Sequence, residues 1–239
     1  MRPRLQVLSA ILLLLVATAA RADKLYFLSE TAVDPVRLLP APASPDSEEA
    51  KAELDAMVAI QATRTKEQEA RCSAEVTFSM AAFQGVIGRW FTEENLPKLA
   101  RLLKNVEKDS KYFTGAVKKH YDRKRPYAED SRIHPATEPE NTPAYPSGHA
   151  TRGLLYAKIL AKLAPRRRAE LLERGRQVGW DRVIAGVHHP SDIVAGRVLG
   201  QALAQALLDC PKFQDELAEA KVEFDAVKQQ HEQPAGVGK

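Results

Sequence analysis

Three short blocks of the sequence carry side chains that could bind a phosphate group and attack it. In chain order they contain Lys118 and Arg125, then Ser147, Gly148 and His149, then Arg182, His188 and Asp192. Lysine and arginine donate charged hydrogen bonds to phosphoryl oxygens, and the planar fork of arginine suits two oxygens at once. A histidine can act as a nucleophile or transfer a proton. Any one of these cations alone is more often a solvated surface residue, but together the residue types indicate phosphoryl transfer.

The middle block, Pro146-Ser147-Gly148-His149, has the composition of a helix N-terminus. A serine there caps the helix, whose first turn leaves backbone N–H groups unpaired beside the positive end of the helix dipole. Such a terminus binds anions, and a glycine at position 148 lets an anion approach the backbone closely. The alternative is an ordinary capped helix without a ligand.

The third block places an acid four residues after a histidine. Pro190 suits the first turn of a helix, so His188 precedes that helix and Asp192 lies in its first turn. A carboxylate there can fix one imidazole nitrogen and leave the other as a nucleophile. Two alternatives stay open on the residues alone: Asp192 only stabilises the helix terminus, or His189 is the nucleophile.

The spacing of the three blocks, K-x6-RP, then PSGH, then R-x5-H-x3-D, resembles the signature of the type 2 phosphatidic acid phosphatase (PAP2) superfamily. That superfamily includes bacterial class A non-specific acid phosphatases, membrane lipid phosphatases and vanadium haloperoxidases. The length of the chain and its N-terminal leader, described below, make it most similar to the class A acid phosphatases. The resemblance implies an all-α fold, a single-domain helical bundle of the PAP2 type.

The resemblance also implies a role for each residue. His188 would attack phosphorus in line, Asp192 would orient it, and His149 would protonate the leaving oxygen. The equatorial oxygens would be held by Lys118, Arg125, Ser147, Gly148 and Arg182. Water would then hydrolyse the phosphohistidine, with no metal and no cofactor. The family pattern selects His188 over His189, and a protonated His149 implies an acidic to near-neutral optimum.

One residue departs from the family pattern, and the substrate stays open. The third block usually begins Ser-Arg, whereas this chain has Asp181 before Arg182. An aspartate would repel phosphate unless it turned away or paired with a cation. The expected substrates are small phosphorylated molecules. The alternatives are a lipid or pyrophosphate phosphatase of the same superfamily, a vanadium-dependent haloperoxidase, and a non-catalytic anion-binding protein.

Helical periodicity dominates the elements that must position these blocks. Helices are predicted from about Ser47, over 76–87, from about 95, over 110–121, from Ser147, over 167–178, after Pro190 and around 213–224. Prolines cluster between 126 and 146 and predict a long loop, a feature that is uncommon unless functional. We expect an extended N-terminal arm over 23–46, a helical phosphatase domain over 47–228 and a disordered tail over 229–239.

The N-terminus predicts a secretory signal peptide over residues 1–22. Arg2 and Arg4 precede the apolar run Val7–Ala17, and small residues follow up to Ala22. The run is shorter than the roughly 20 residues that a membrane span needs. We therefore expect cleavage near residue 22, no transmembrane segment in the mature chain, and export to the periplasm or the medium. An uncleaved anchor is the alternative.

Charge and cysteine content limit the remaining possibilities. Removal of residues 1–22 takes away three arginines and no acid, which leaves 32 basic against 31 acidic residues. This near-neutral balance gives no case for nucleic-acid binding. It says nothing about assembly, so a homo-oligomer stays open. Cys72 and Cys210 could form a disulfide after export, or stay as two separate thiols.

Overall fold

The computed structural model of the chain describes residues 25–232, and every regular element among them is helical. The predicted all-α class is confirmed. The helices are α1 (Pro35–Leu38), α2 (Glu48–Ala62), α3 (Lys66–Ala74), α4 (Gln84–Ile87), α5 (Pro97–Tyr121), α6 (Pro126–Glu129), α7 (Gly148–Leu163), α8 (Arg168–Ile184), α9 (Pro190–Leu208) and α10 (Pro211–Glu232), with 3₁₀ turns at Met80–Phe83 and Pro165–Arg167. The predicted signal peptide lies outside the described residues.

Several helices begin where the sequence predicts. The Oγ of Ser47 accepts the N–H of Ala50 (3.2 Å) at the start of α2, and prolines occupy the first turns of α5 and α9. A serine cap and an N-terminal proline both suit a helix start, because the first-turn N–H groups have no partner within the helix.

Helix α5 is one continuous helix of 25 residues, where the sequence predicted two helices with the second beginning near Ser110. Asp109 and Ser110 are buried. The Asp109 carboxylate accepts the backbone N–H groups of Tyr26, Phe27 and Leu28 at 2.6, 2.8 and 3.0 Å. The polar pair therefore marks the place where the N-terminal segment docks on α5, and not a helix end.

The helix predicted over 76–87 is wrong as a continuous element. This stretch begins irregularly, continues as a 3₁₀ turn and ends as the single turn α4 at Gly88, whose φ is 137°. Met80, Phe83 and Ile87 are nevertheless buried. The apolar pattern thus predicted which side chains enter the core, because burial depends on spacing along the segment more than on the exact helix type.

Helix α7 lies between α8 and α9, and glycines allow the close approach of these three helices. A β-carbon at Gly175 of α8 would lie 2.7 Å from Cβ of Ala157, and one at Gly196 of α9 would lie 2.6 Å from the carbonyl oxygen of Ser147. Both separations are too short for real atoms, so a side chain at either glycine would push the helices apart. The ends of these helices carry the second and third blocks.

The two ends of the described chain cover the helical core. Residues 25–46 are irregular apart from α1 and bury Phe27, Leu28 and Leu39. Helix α10 continues to Glu232, so residues 229–232 are helical where the sequence predicted disorder. The rest of the predicted tail, residues 233–239, lies outside the described part of the chain.

Cys72 and Cys210 are not bonded to each other. The Sγ of Cys72 donates to the carbonyl oxygen of Asp181 (3.1 Å) and that of Cys210 to the carbonyl oxygen of Phe27 (3.3 Å), so the two are separate thiols. Within residues 25–232, no single helix has both the length and the hydropathy of a membrane span. Helices α9 and α10 meet these criteria only as a pair, bent by 89°.

Candidate active site

The three blocks meet where α5, α7, α8 and α9 end or begin. Two hydrogen bonds join them: Arg125 Nη1 donates to the carbonyl oxygen of Val187 (2.8 Å), and Ser147 N–H donates to that of Asp192 (3.0 Å). Within the third block, His188 N–H donates to the carbonyl oxygen of Arg182 (3.3 Å). Helix α8 extends to Ile184, beyond the predicted end near 178, so Arg182 lies in its last turn. Residues distant in sequence thereby form one buried polar cluster.

His188 is held as a neutral imidazole. Its Nδ1–H donates to Oδ2 of Asp192 (3.2 Å), and its Nε2 lies 3.0 Å from Nη1 of Arg125. Burial lowers the pKa of His188 to about 3; the Asp192 hydrogen bond opposes this effect and the Arg125 cation adds to it. A neutral imidazole with one nitrogen fixed by a carboxylate is the form that nucleophilic attack requires.

Asp192 also belongs to a buried network that the sequence did not reveal. Its Oδ1 accepts Nη1 of Arg123 (2.7 Å), and Arg123 further donates to Oγ of Ser191 (2.7 Å) and Oε2 of Glu53 (2.8 Å). Arg123 lies in the run Asp-Arg-Lys-Arg at 122–125. Composition alone does not tell which cation of such a run turns inward.

His189, the alternative nucleophile, has both ring nitrogens engaged. Its Nδ1 lies 3.1 Å from Oδ2 of Asp192 and its Nε2 lies 3.1 Å from Oε2 of Glu129. Although burial lowers the pKa of His189, the two carboxylates raise it above its ordinary value. Burial raises the pKa of Asp192, but the hydrogen bonds from His188 and His189 bring it below its ordinary value. Because both partners of His189 are carboxylates, each of its nitrogens is placed to donate an N–H and neither presents a lone pair. Nε2 of His188 instead faces a donor, Arg125, so the geometry favours His188.

Lys118, Arg125 and Arg182 form a cation cluster that lies against residues 140–143. Arg125 donates to Oε2 of Glu140 (2.7 Å) and to the carbonyl oxygen of Thr142 (2.7 Å), Arg182 donates to Oε1 of Glu140 (2.7 Å), and Lys118 donates to the carbonyl oxygen of Pro143. Burial and the Arg125 cation lower the pKa of Lys118 to about 8. The sequence predicted the three cations but not the carboxylate between them.

The middle block forms a helix N-terminus, as predicted. The Oγ of Ser147 accepts the N–H of Ala150 (3.3 Å) and caps α7. A β-carbon at Gly148 would meet no atom within 4 Å, so packing does not explain this glycine. The Nε2–H of His149 donates to the carbonyl oxygens of Glu75 (3.1 Å) and Val76 (3.3 Å). Burial and then the Arg182 cation lower the pKa of His149 well below its ordinary value.

Asp181 turns away from the cation cluster and pairs with another cation. Its carboxylate accepts Nε and Nη2 of Arg71 (2.9 and 2.7 Å) and Nε2 of Gln177 (2.9 Å). Nη1 of Arg174 lies 3.7 Å away. The repulsion of phosphate that an aspartate at this position could cause is thus offset by Arg71, and the side chain serves to join α3 to α8.

Comparison with known proteins gives a consistent picture. A family model described as the PAP2 superfamily matches residues 110–215, which include all three blocks. The non-specific acid phosphatase of Salmonella typhimurium is 36% identical over 148 residues, which cover 60% of this chain and 59% of that protein. That of Providencia stuartii is 30% identical over 219 residues, covering 87% and 88%. A lipid A 1-phosphatase of Rhizobium etli is 37% identical over only 57 residues, about a quarter of each chain.

Proposed function

The chain belongs to the PAP2 superfamily, and from this membership and the geometry of its site we propose that it is an acid phosphatase that hydrolyses phosphomonoesters. The observation that carries the proposal is the position of His188. One of its nitrogens is bonded to Asp192, and the other faces the cation cluster. An oriented nucleophile beside buried cations suits an incoming phosphate.

The proposed reaction has two steps. Nε2 of His188 forms a bond to phosphorus while the ester P–O bond breaks, and His149 gives its proton to the departing alkoxide, which leaves as an alcohol. Water then attacks the phosphohistidine and loses a proton to His149. Inorganic phosphate is released, and both histidines return to their starting forms.

The chain's own side chains supply the electrostatics of this scheme. Lys118, Arg125 and Arg182 would hold the three equatorial oxygens, with the N-terminus of α7 as a further donor set. Burial lowers the pKa of His149 and so favours its neutral form. A phosphate dianion placed beside it would raise its pKa, so the substrate itself would favour the protonated acid. We propose that the reaction needs no metal.

The proposal extends to where the protein acts and on what. The N-terminal leader predicted over residues 1–22 supports export to the periplasm or the medium. The substrates proposed are small phosphorylated molecules with an accessible monoester.

The test is hydrolysis of p-nitrophenyl phosphate by wild type and by H188A, each with and without EDTA and orthovanadate. We expect activity that is insensitive to EDTA, blocked by vanadate and lost in H188A. H120A, which changes an exposed histidine at the end of α5, serves as the matched control and should behave like wild type. Activity retained in H188A would contradict the mechanism, and loss of activity with EDTA would contradict metal independence. Peroxide-dependent halide oxidation on adding vanadate would favour the haloperoxidase alternative.

A further inference from the structure

The carboxylate of Glu140 lies between the two arginines that would bind the substrate phosphate. Its Oε2 accepts Nη2 of Arg125 and its Oε1 accepts Nη2 of Arg182, both at 2.7 Å. Carboxylate and phosphoryl groups both offer an arginine two oxygens, and both form short charge-assisted hydrogen bonds with it. Glu140 thus makes the contacts that the proposed function assigns to two equatorial oxygens of phosphate.

The rest of the segment 140–143 also occupies hydrogen-bond donors of the cation cluster. The carbonyl oxygens of Thr142 and Pro143 accept hydrogen bonds from Arg125 and Lys118. Three of the four residues 140–143 therefore provide acceptors for the cation cluster: Glu140, Thr142 and Pro143. The match is incomplete, because Nε and Nη1 of Arg182 are buried without a hydrogen-bond partner. Buried donors without partners are costly, so a larger anion could bind the cluster better than this segment does.

The side chain of Glu140 can move away from the two arginines without unfolding the loop. The hydroxyl of Tyr127 accepts the N–H of Glu140 and donates to its carbonyl oxygen, both at 2.9 Å, which fixes the backbone. The side chain is 31% exposed, unlike the nearly buried guanidinium groups that it bridges. A rotation about its own side-chain bonds would carry the carboxylate to solvent.

We propose that Glu140 is an internal competitor for the phosphate site and that it sets the affinity of the enzyme for substrate and product. The inference rests on the proposed phosphatase function. Every phosphate ligand has to displace the same carboxylate, so each loses affinity by the same factor. The same competition lowers the affinity for the inorganic phosphate that the second step produces.

The experiment compares wild type with E140Q, which keeps the size of the side chain but removes its charge. We expect the KM for p-nitrophenyl phosphate and the inhibition constant of inorganic phosphate to fall together, each by about tenfold, a change equivalent to about 1.4 kcal/mol. The value of kcat should change less than KM. E138Q removes the same charge from an exposed position two residues away and should leave both constants unchanged.

A second measurement separates this inference from the function on which it rests. Inorganic phosphate is titrated calorimetrically into H188A and into H188A/E140Q, so that binding is read without turnover. Tighter binding in the double variant supports the inference. Unchanged or weaker binding overturns it and makes Glu140 a residue that positions the arginines. Absence of p-nitrophenyl phosphate hydrolysis in the wild type would contradict the proposed function alone.

Discussion

The Oδ2 of Asp192 lies 3.2 Å from Nδ1 of His188, one helical turn earlier in the chain. The same oxygen accepts the backbone N–H of His189 at 2.8 Å, so the carboxylate is fixed to the first turn of α9 as well as to the ring. This relationship sets the tautomer of His188 and directs its other nitrogen towards the cations.

Asp192→Asn should lower kcat by about 10³- to 10⁴-fold, because an amide can donate to the imidazole and favour the wrong tautomer. The KM should change much less, since the cation cluster is untouched. Steady-state hydrolysis of p-nitrophenyl phosphate measures both constants. Asp215→Asn, at an exposed position of α10, is the matched control. A variant that kept wild-type kcat would show that Asp192 does not orient the nucleophile.

Arg123→Lys should reduce kcat more than it changes KM and should lower the free energy of unfolding by about 1–3 kcal/mol. A lysine lacks the planar fork that reaches Glu53, Ser191 and Asp192 together. Urea unfolding and steady-state kinetics test the two effects. Arg176→Lys, in the exposed ion pair with Glu173, should change neither. A change in KM alone would mean that Arg123 acts on substrate binding and not through Asp192.

His149→Asn should lower kcat most for substrates with poor leaving groups. We expect a loss of about 10²- to 10⁴-fold with glycerol 2-phosphate, whose alkoxide needs a proton, and a smaller loss with p-nitrophenyl phosphate, whose phenolate leaves without one. The ratio of the two kcat values is the measurement. His134→Asn changes an exposed histidine and should preserve the wild-type ratio. Equal losses on both substrates would argue against a general acid at His149.

Acidification from pH 6.5 towards pH 4 should destabilise the fold. His188 has its pKa lowered to about 3 and His149 has its pKa lowered as well, so in this range the unfolded chain binds protons that the native chain does not. Stability therefore falls as the pH falls, and the lowered pKa of Asp192 extends the loss below pH 4. Melting temperatures across this range test the prediction. His188→Gln should show a shallower pH dependence than wild type, and an unchanged slope would contradict the assignment.

The raised pKa of His189 affects the stability of the fold in a different pH range. Below its ordinary pKa this residue is protonated in both the folded and the unfolded chain, so it adds nothing to the acid slope. Its stabilising contribution is lost only as the pH rises through its folded-state pKa. The acid slope can therefore be assigned to His188 and His149 without interference from the neighbouring imidazole.

The sequence predicted the local geometry at the second and third blocks better than it predicted the limits of the helices around them. Ser147 as a cap, Pro190 in a first turn and Asp192 one turn after His188 follow from local rules that act within a few residues. The continuity of α5 does not follow from such local rules. The buried carboxylate of Asp109 at its middle accepts hydrogen bonds from the backbone of residues 26–28, more than 80 positions away. A polar residue in a helical pattern is ambiguous until its partner is known.

The same reason explains what was missed in the site. Arg123, Glu140 and Arg71 take their roles from partners 15 to 110 positions away. Each is an ordinary charged residue in the sequence, and nothing local distinguishes it from its neighbours. Asp181 illustrates the point. From the sequence one could say only that its carboxylate must turn away from phosphate or pair with a cation, and the structure shows that Arg71 pairs with it.

The close contacts of Gly175 and Gly196 with α7 limit which substitutions these two positions can accept. At these two positions the helices are separated only by backbone atoms and the small side chains of Ala150 and Ala157. A larger side chain at either glycine would move α8 or α9 away from α7, and with it the residues of the second and third blocks. Gly175 and Gly196 therefore help to hold the second and third blocks in position, and neither can be replaced by a residue with a side chain without moving a helix.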